Sequence, residues 1–177
     1  MKKVFFLFAL ALLAFGTQQT FAADGTTPGE GSLGLGVAIN TYPFVSNNLG
    51  GVIGYNISNN LQIGLKLGFG IGMELDVPSV NGTETKTYTS TLIGPYARYY
   101  LSTIKTLRPF VDAGMEIGTY QRVNGDYTYM RVNVGGEWNP YKSFGVIGGL
   151  NFVSYESNHK VLNIGLGAPF IGATWYF

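Results

Sequence analysis

Between Leu61 and Leu75 the chain alternates without a break. Leu61, Ile63, Leu65, Leu67, Phe69, Ile71, Met73 and Leu75 are apolar, and Gln62, Gly64, Lys66, Gly68, Gly70, Gly72 and Glu74 between them are glycine or polar. A period of two over fifteen residues defines an extended strand, because successive side chains there point to opposite faces. In a sheet facing water on one side, the second face would be solvated and polar. Here it is mostly glycine, which covers little and weakens an ordinary strand. The pattern fits a strand whose apolar face meets lipid and whose glycine face looks into a crowded lumen.

The same alternation recurs along the chain and predicts eight strands. Leu33–Asn40 sends Leu33, Leu35, Val37 and Ile39 outward, and Leu49–Ile57 does the same with Leu49, Ile53, Tyr55 and Ile57. After Leu61–Leu75 comes a polar break, Asp76–Lys86, and then a fourth strand, Thr87–Leu101. It has Ile93, Pro95, Ala97, Tyr99 and Leu101 outward and Gly94, Tyr96, Arg98 and Tyr100 inward. Pro95 lacks a ladder donor, so a local bulge is expected there. Arg108–Tyr120 carries Phe110, Asp112, Gly114, Glu116 and Gly118 inward, and Thr128–Asn139 carries Arg131, Asn133, Gly135 and Glu137 inward. Phe144–Ser154 follows, and Val161–Phe177 changes phase near Pro169, which predicts a bulge. Breaks alternate between short turns (Ser58–Asn60, Ser102–Thr106, Pro140–Ser143) and longer polar segments, among them Gln121–Tyr127 with its Asn124-Gly125 hairpin signal. An even strand count with short turns at one end and longer loops at the other predicts an all-β, eight-stranded antiparallel up-and-down transmembrane β-barrel.

The N-terminus changes the picture of where this barrel sits. Lys2 and Lys3 precede the apolar run Val4–Phe15, and Ala22 follows. This reads as a cleaved secretory signal peptide over residues 1–22, too short to span a bilayer as a helix. Residues 23–32 are a polar lead-in expected to be mobile, and 33–177 form the barrel domain. Cleavage removes two lysines from eleven basic residues, leaving nine against ten acidic ones. That balance gives no bias toward nucleic acid. The absence of cysteine excludes disulfide staples, thiolate metal sites and a lipid anchor on cysteine. With no long apolar run after the signal, a membrane protein of this kind must be a closed barrel, since open sheet edges do not survive in hydrocarbon.

Gly94–Tyr100 (GPYARYY), Arg108–Gly118 (RPFVDAGMEIG) and the terminal ATWYF make the whole mature chain resemble the small outer-membrane β-barrels of the OmpX-like and OmpA-transmembrane-domain-like family. The resemblance implies the bacterial outer membrane, outer-membrane lipid and lipopolysaccharide as surroundings, and a monomer. It also implies that Phe177, with Trp175 in the same phase, is similar to the terminal signal read by the barrel-assembly machinery after delivery by periplasmic chaperones. Fold and activity separate widely among such barrels.

An eight-stranded lumen is just filled by side chains. Lys66, Arg98 and Arg131 face Glu74, Asp112, Glu116 and Glu137 across consecutive strands and are expected to pair, because isolated charges in a confined lumen are costly. A structural polar core is the expected outcome, and a gated path for ions or small solutes, porin-like, is the alternative. Trp138, Trp175 and Phe177, with Tyr99 and Tyr141, form the inner aromatic girdle, and Tyr42, Phe44, Tyr88, Tyr120 and Tyr129 the outer one. His159, near Ser154, Glu156 and Ser157, raises a second alternative, since some small barrels are lipid A deacylases or acyltransferases that use serine and histidine. The deacylases' His-x-Ser arrangement is absent, and a lone histidine makes no metal site. The expectation is a non-enzymatic integral barrel without cofactor, with a structural or surface-interaction role.

Overall fold

The computed structural model describes residues 27–40, 48–79, 82–102, 104, 106–120, 125–157, 160–167 and 169–177. The expected signal peptide, residues 23–26 of the lead-in, Tyr42, Phe44 and His159 lie outside the described residues, as do the side chains of Glu74, Tyr88 and Tyr120. The strands are β1 (Leu33–Asn40), β2 (Asn48–Asn56), β3 (Leu61–Ser79), β4 (Gly82–Tyr100), β5 (Leu107–Tyr120), β6 (Gly125–Tyr141), β7 (Phe144–Glu156), β8 (Val161–Ile164) and β9 (Pro169–Tyr176). Consecutive strands from β1 to β8 pair antiparallel, and β9 pairs both β7 and β1, so the sheet closes on itself. β8 pairs β7 alone, which makes β8 and β9 two pieces of the eighth strand of a closed barrel.

Alternation sets the two faces. Leu33, Leu35, Val37, Ile39, Leu65, Leu67, Phe69 and Ile93 are all exposed on the outer surface, while Tyr96, Arg98, Tyr100, Phe110 and Asp112 are buried in the lumen. The inside-out arrangement is the one a lipid solvent demands. Glycines let walls and contents approach. At Gly94 a Cβ would collide with the Met115 carbonyl oxygen, and at Gly64 with that of Ile53. Because a closed barrel satisfies its backbone within the sheet and resists detergent until heated, unboiled and boiled samples are expected to migrate differently on a denaturing gel. Identical mobility would contradict a closed sheet.

Four local expectations change. The break Asp76–Lys86 is mostly strand: β3 and β4 stay paired to Ser79↔Gly82, with one shift between Glu74 and Val77. The β-branched threonines of TETKTYT suit an extended chain. Above Gly70 and Ser90 neither β2 nor β5 accompanies them, so the hairpin rises alone beyond the wall among the described residues. Pro95 makes no bulge. The β4–β5 register passes from Ile93↔Ile117 to Tyr96↔Gly114 without an extra residue, the ladder simply skipping Gly94–Pro95. The register shifts of the wall fall instead in β6–β7, between Val132 and Asn133 and between Trp138 and Tyr141. The eighth strand leaves the ladder at residues 165–167, where Gly165 takes a φ of +145°, a conformation that side-chain-bearing residues avoid.

The lead-in is the fourth. Thr27 and Pro28 are buried, the Gly31 amide donates to the Asn56 carbonyl at 2.8 Å, and that of Glu30 to Asn59 Oδ1 at 3.2 Å. Polar composition alone suggested a mobile segment, but the amides and Ser32 Oγ find partners on the β2–β3 turn, Asn56 Nδ2 donating to Ser32 Oγ at 2.7 Å. Residues 27–32 therefore pack against the short-turn end.

Candidate functional site

Among the described residues, charged side chains converge in the lumen. Strand register does the convergence: Arg98 lies opposite Asp112, and Asp112 opposite Asn133, so three adjacent strands deliver their inward groups to one level. Asp112 is the hub. Its Oδ2 accepts from Arg98 Nη2 at 3.0 Å, and its Oδ1 accepts from Lys66 Nζ at 3.0 Å and from Asn133 Nδ2 at 2.6 Å. Both Arg98 and Asp112 are almost wholly buried. Burying such a pair is favourable only when the remaining lone pairs are also satisfied, and Asn133 supplies that; Asn151 Nδ2 in turn donates to Asn133 Oδ1 at 3.1 Å. One strand pair away, Arg131 Nη2 meets Glu116 Oε2 at 3.0 Å.

Toward the short-turn end, polar groups and rings close the bore. Glu137 accepts from Tyr100 Oη at 2.5 Å, Tyr176 Oη at 2.6 Å and Asn139 Nδ2 at 3.0 Å. It is fully buried and makes no ion pair among the described residues. The expected pairing of all four anions with cations thus fails at Glu137, because two phenols and an amide satisfy it instead. Arg108, directly opposite Glu137 in register, turns away: its guanidinium lies 3.5 Å from the centre of the Tyr100 ring and donates to the Asn59 carbonyl at 2.9 Å. The Arg98 guanidinium sits 4.2 Å from the centre of the Phe110 ring. Such stacking of a desolvated cation on an aromatic face contributes about 1–2 kcal/mol. A further chain runs Tyr96 Oη to Gln62 Oε1 at 2.8 Å and Gln62 Nε2 to Asn56 Oδ1 at 3.1 Å.

Of the residues singled out from sequence, Lys66, Arg98, Asp112, Glu116, Arg131 and Glu137 all face the lumen. Glu74 lies on β3 beyond the wall, opposite Lys86. Arg108, with Ile147 and Leu92 as apolar filling, escaped the reading although the inward phase of β5 includes position 108. Trp138, Trp175 and Phe177 are exposed near the short-turn end. Trp138 Nε1 donates to Thr106 Oγ1 at 3.1 Å, and Trp175 packs on Phe144 with ring centres 5.4 Å apart. The Ser157 hydroxyl accepts from the Thr128 amide at 3.1 Å, and Ser154 is buried. Among the described residues no three His, Cys, Asp or Glu side chains are placed to hold a metal.

A closed antiparallel barrel with an apolar outer band and a filled polar bore is a transmembrane β-barrel. Over residues 8–171 the sequence matches the family described as outer membrane protein beta-barrel domain, and the chain belongs to that family, placing it in the bacterial outer membrane. Among solved structures it is similar to the N-terminal β-barrel domain of Pseudomonas aeruginosa OprF, at 18% identity and a TM-score of 0.60, covering 84% of this chain and 99% of that one. It is also similar to a transmembrane β-barrel designed de novo, at 18% identity and a TM-score of 0.50, covering 84% of this chain and 97% of that one. These likenesses concern the fold. A comparison with curated proteins returns no match.

Proposed function

We propose that the protein is a non-enzymatic integral barrel with a sealed bore, working in envelope integrity and surface contact rather than transport. One observation carries this: Tyr100, Phe110, Arg108, Glu137 and Tyr176 are all buried across the short-turn end of the lumen, in a layer tied together at Glu137 and Tyr100. An ion would have to strip that layer of its hydrogen bonds to pass. The extension of β3 and β4 beyond Gly70 and Ser90 supports contact at the cell surface, and the exposed Phe177 with Trp175 supports recognition by the barrel-assembly machinery. Surrounding lipid and lipopolysaccharide, and a monomeric state, complete the reading.

The second reading, a narrow channel, draws on the side-by-side ion pairs of Lys66, Arg98 and Arg131 and on the cavity beside them. Planar-bilayer recording separates the two. The wild-type barrel is expected to show no steady openings, and Tyr100→Ala with Glu137→Ala is expected to create them. Steady openings in the wild type would replace the sealed reading with the channel. His159, the base of the hydrolase alternative, lies outside the described residues.

A further inference from the structure

The ribbon of β3 and β4 outgrows the wall. β3 runs nine positions past Gly70, where its described pairing with β2 ends, and β4 accompanies it up to Gly82. At about 3.3 Å per residue this is about 30 Å of sheet. The outer edge of β4 is open there for covalent reasons. β5 follows β4 only to Ser90↔Tyr120, and Tyr120 pairs with Gly125, so the chain has the four residues 121–124 in which to leave and return. At no more than about 3.6 Å per residue, half of them outbound, they reach at most about two positions beyond Ser90. Residues 41–47 close the Asn40↔Asn48 pair on the other side of the ribbon, next to β3. The β7–β8 link stands across the barrel, and residues 23–26 are tied to Thr27 at the short-turn end. Between Gly82 and Thr87 the amides and carbonyls on this side of β4 therefore meet no strand of their own chain.

An open edge is a template for another strand, and this one is complementary to itself. From Gly82 to Tyr88 the sequence reads GTETKTY. Two copies set antiparallel about a two-fold axis at Thr85 bring Glu84 of each opposite Lys86 of the other. Thr83 then falls opposite Thr87, Thr85 opposite Thr85, and Gly82 opposite Tyr88. Opposite charges and threonine pairs are favourable cross-strand neighbours, and an aromatic residue opposite a glycine covers it. Only alternate residues turn amide and carbonyl toward a given edge. The nearest other symmetric registers therefore centre on Glu84 or on Lys86, and each sets like charges face to face, which is destabilising. The register shift between Glu74 and Val77 places its extra residue on β3, so the spacing along β4 stays regular.

We propose that the β4 edge above the wall docks on the same edge of a second copy of this chain in a facing membrane, joining two ribbons into one four-stranded sheet. The symmetry dictates the arrangement. The two-fold axis stands perpendicular to the sheet, so where β4 of one barrel descends toward its bilayer, β4 of the other ascends, and the barrels meet head to head. Each barrel remains a monomer within its own membrane. A two-stranded ribbon is marginal in water, and added strands stabilise it. One such junction is small and weak, but many of them between two surfaces hold together, which is how a cell-to-cell contact works. The inference specifies the partner of the surface contact proposed above and rests on that reading, while being independent of the sealed bore.

The chain has no cysteine, so disulfide trapping between full barrels held one to a nanodisc tests the register directly. Thr85→Cys is expected to link barrels of separate discs at least tenfold faster than Thr83→Cys, because position 85 alone faces itself within disulfide reach. Discs with Thr83→Cys mixed with discs with Thr87→Cys are expected to link as readily as Thr85→Cys. In the Thr85→Cys background, Glu84→Lys and Lys86→Glu are each expected to slow linking at least tenfold. Mixing these two is expected to restore it, since lysines then face glutamates across the junction. Equal rates for Thr85→Cys and Thr83→Cys would overturn the proposal, as would linking indifferent to the charge variants. Linking confined to discs that hold two barrels would overturn the facing-membrane arrangement. The heat-shifted gel band confirms folding of each variant; should a charge variant lack it, the cysteine positions decide alone. Failure to link leaves the sealed bore standing, and steady openings of the wild type in planar bilayers would unseat the sealed bore without touching the junction.

Discussion

Asp112→Ala is expected to lower the unfolding free energy by about 3–5 kcal/mol, the usual cost of removing one partner from a buried ion pair. The substitution strips Arg98, 2% exposed, of its carboxylate and leaves Lys66 and Asn133 without their shared acceptor. Water in the adjoining cavity can solvate Lys66, which is 17% exposed, but it reaches Arg98 poorly between the Phe110 ring and the wall. The cost should therefore fall mainly on the Arg98 side. Urea unfolding in lipid vesicles, followed by tryptophan fluorescence, measures it. An Asp112→Leu, Arg98→Met double variant is expected to recover part of the loss, because no orphaned charge remains and apolar replacement of a buried pair is often neutral. A single-variant midpoint shift equivalent to less than about 0.5 kcal/mol, the range of surface substitutions, would show that Asp112 is not the hub.

Leu67→Arg is expected to cost roughly 2–4 kcal/mol, the penalty for a cation on the lipid face near the bilayer midplane. Leu67 stands in the middle of the wall-forming part of β3, outward and exposed, paired with Gly51 on one side and Ile93 on the other. Ser143→Arg, in the exposed β6–β7 turn, should stay within about 0.5 kcal/mol of the wild type. Folding yields into phosphatidylcholine vesicles compare the two. Equal yields would mean that the apolar face of β3 does not meet lipid.

The faces of the wall were legible because alternation is a local property: Leu33 to Ile39 and Leu61 to Phe69 announce their exposure residue by residue. The luminal positions of Lys66, Arg98, Asp112 and Arg131 follow from the same phase. Who meets whom did not follow. That depends on how far each long side chain reaches across the bore, and Arg108, opposite Glu137 in register, reaches instead for the Tyr100 ring and the Asn59 carbonyl. The extension of β3–β4 was hidden because a polar, threonine-rich hairpin outside the membrane has no apolar face to signal it. The parting of the last strand was visible only as a change of phase near Pro169, which one bulge would also explain; the backbone turn at Gly165 decides for a break.

The final hydrogen bonds of the wall join the two ends of the barrel sequence. The Leu33 amide donates to the Phe177 carbonyl at 3.1 Å, and the Phe177 amide to that of Leu33 at 2.9 Å. Each hairpin can form from residues close in sequence, but this latch needs partners 144 positions apart and carries the largest loop-closure entropy in the molecule. Contacts of such high order are slow to form. Until the latch closes, β1 and β9 are bare edges that hydrocarbon does not tolerate. Descent into the bilayer and joining of the ends must then proceed as one concerted event, and a half-built sheet has no resting place inside the membrane.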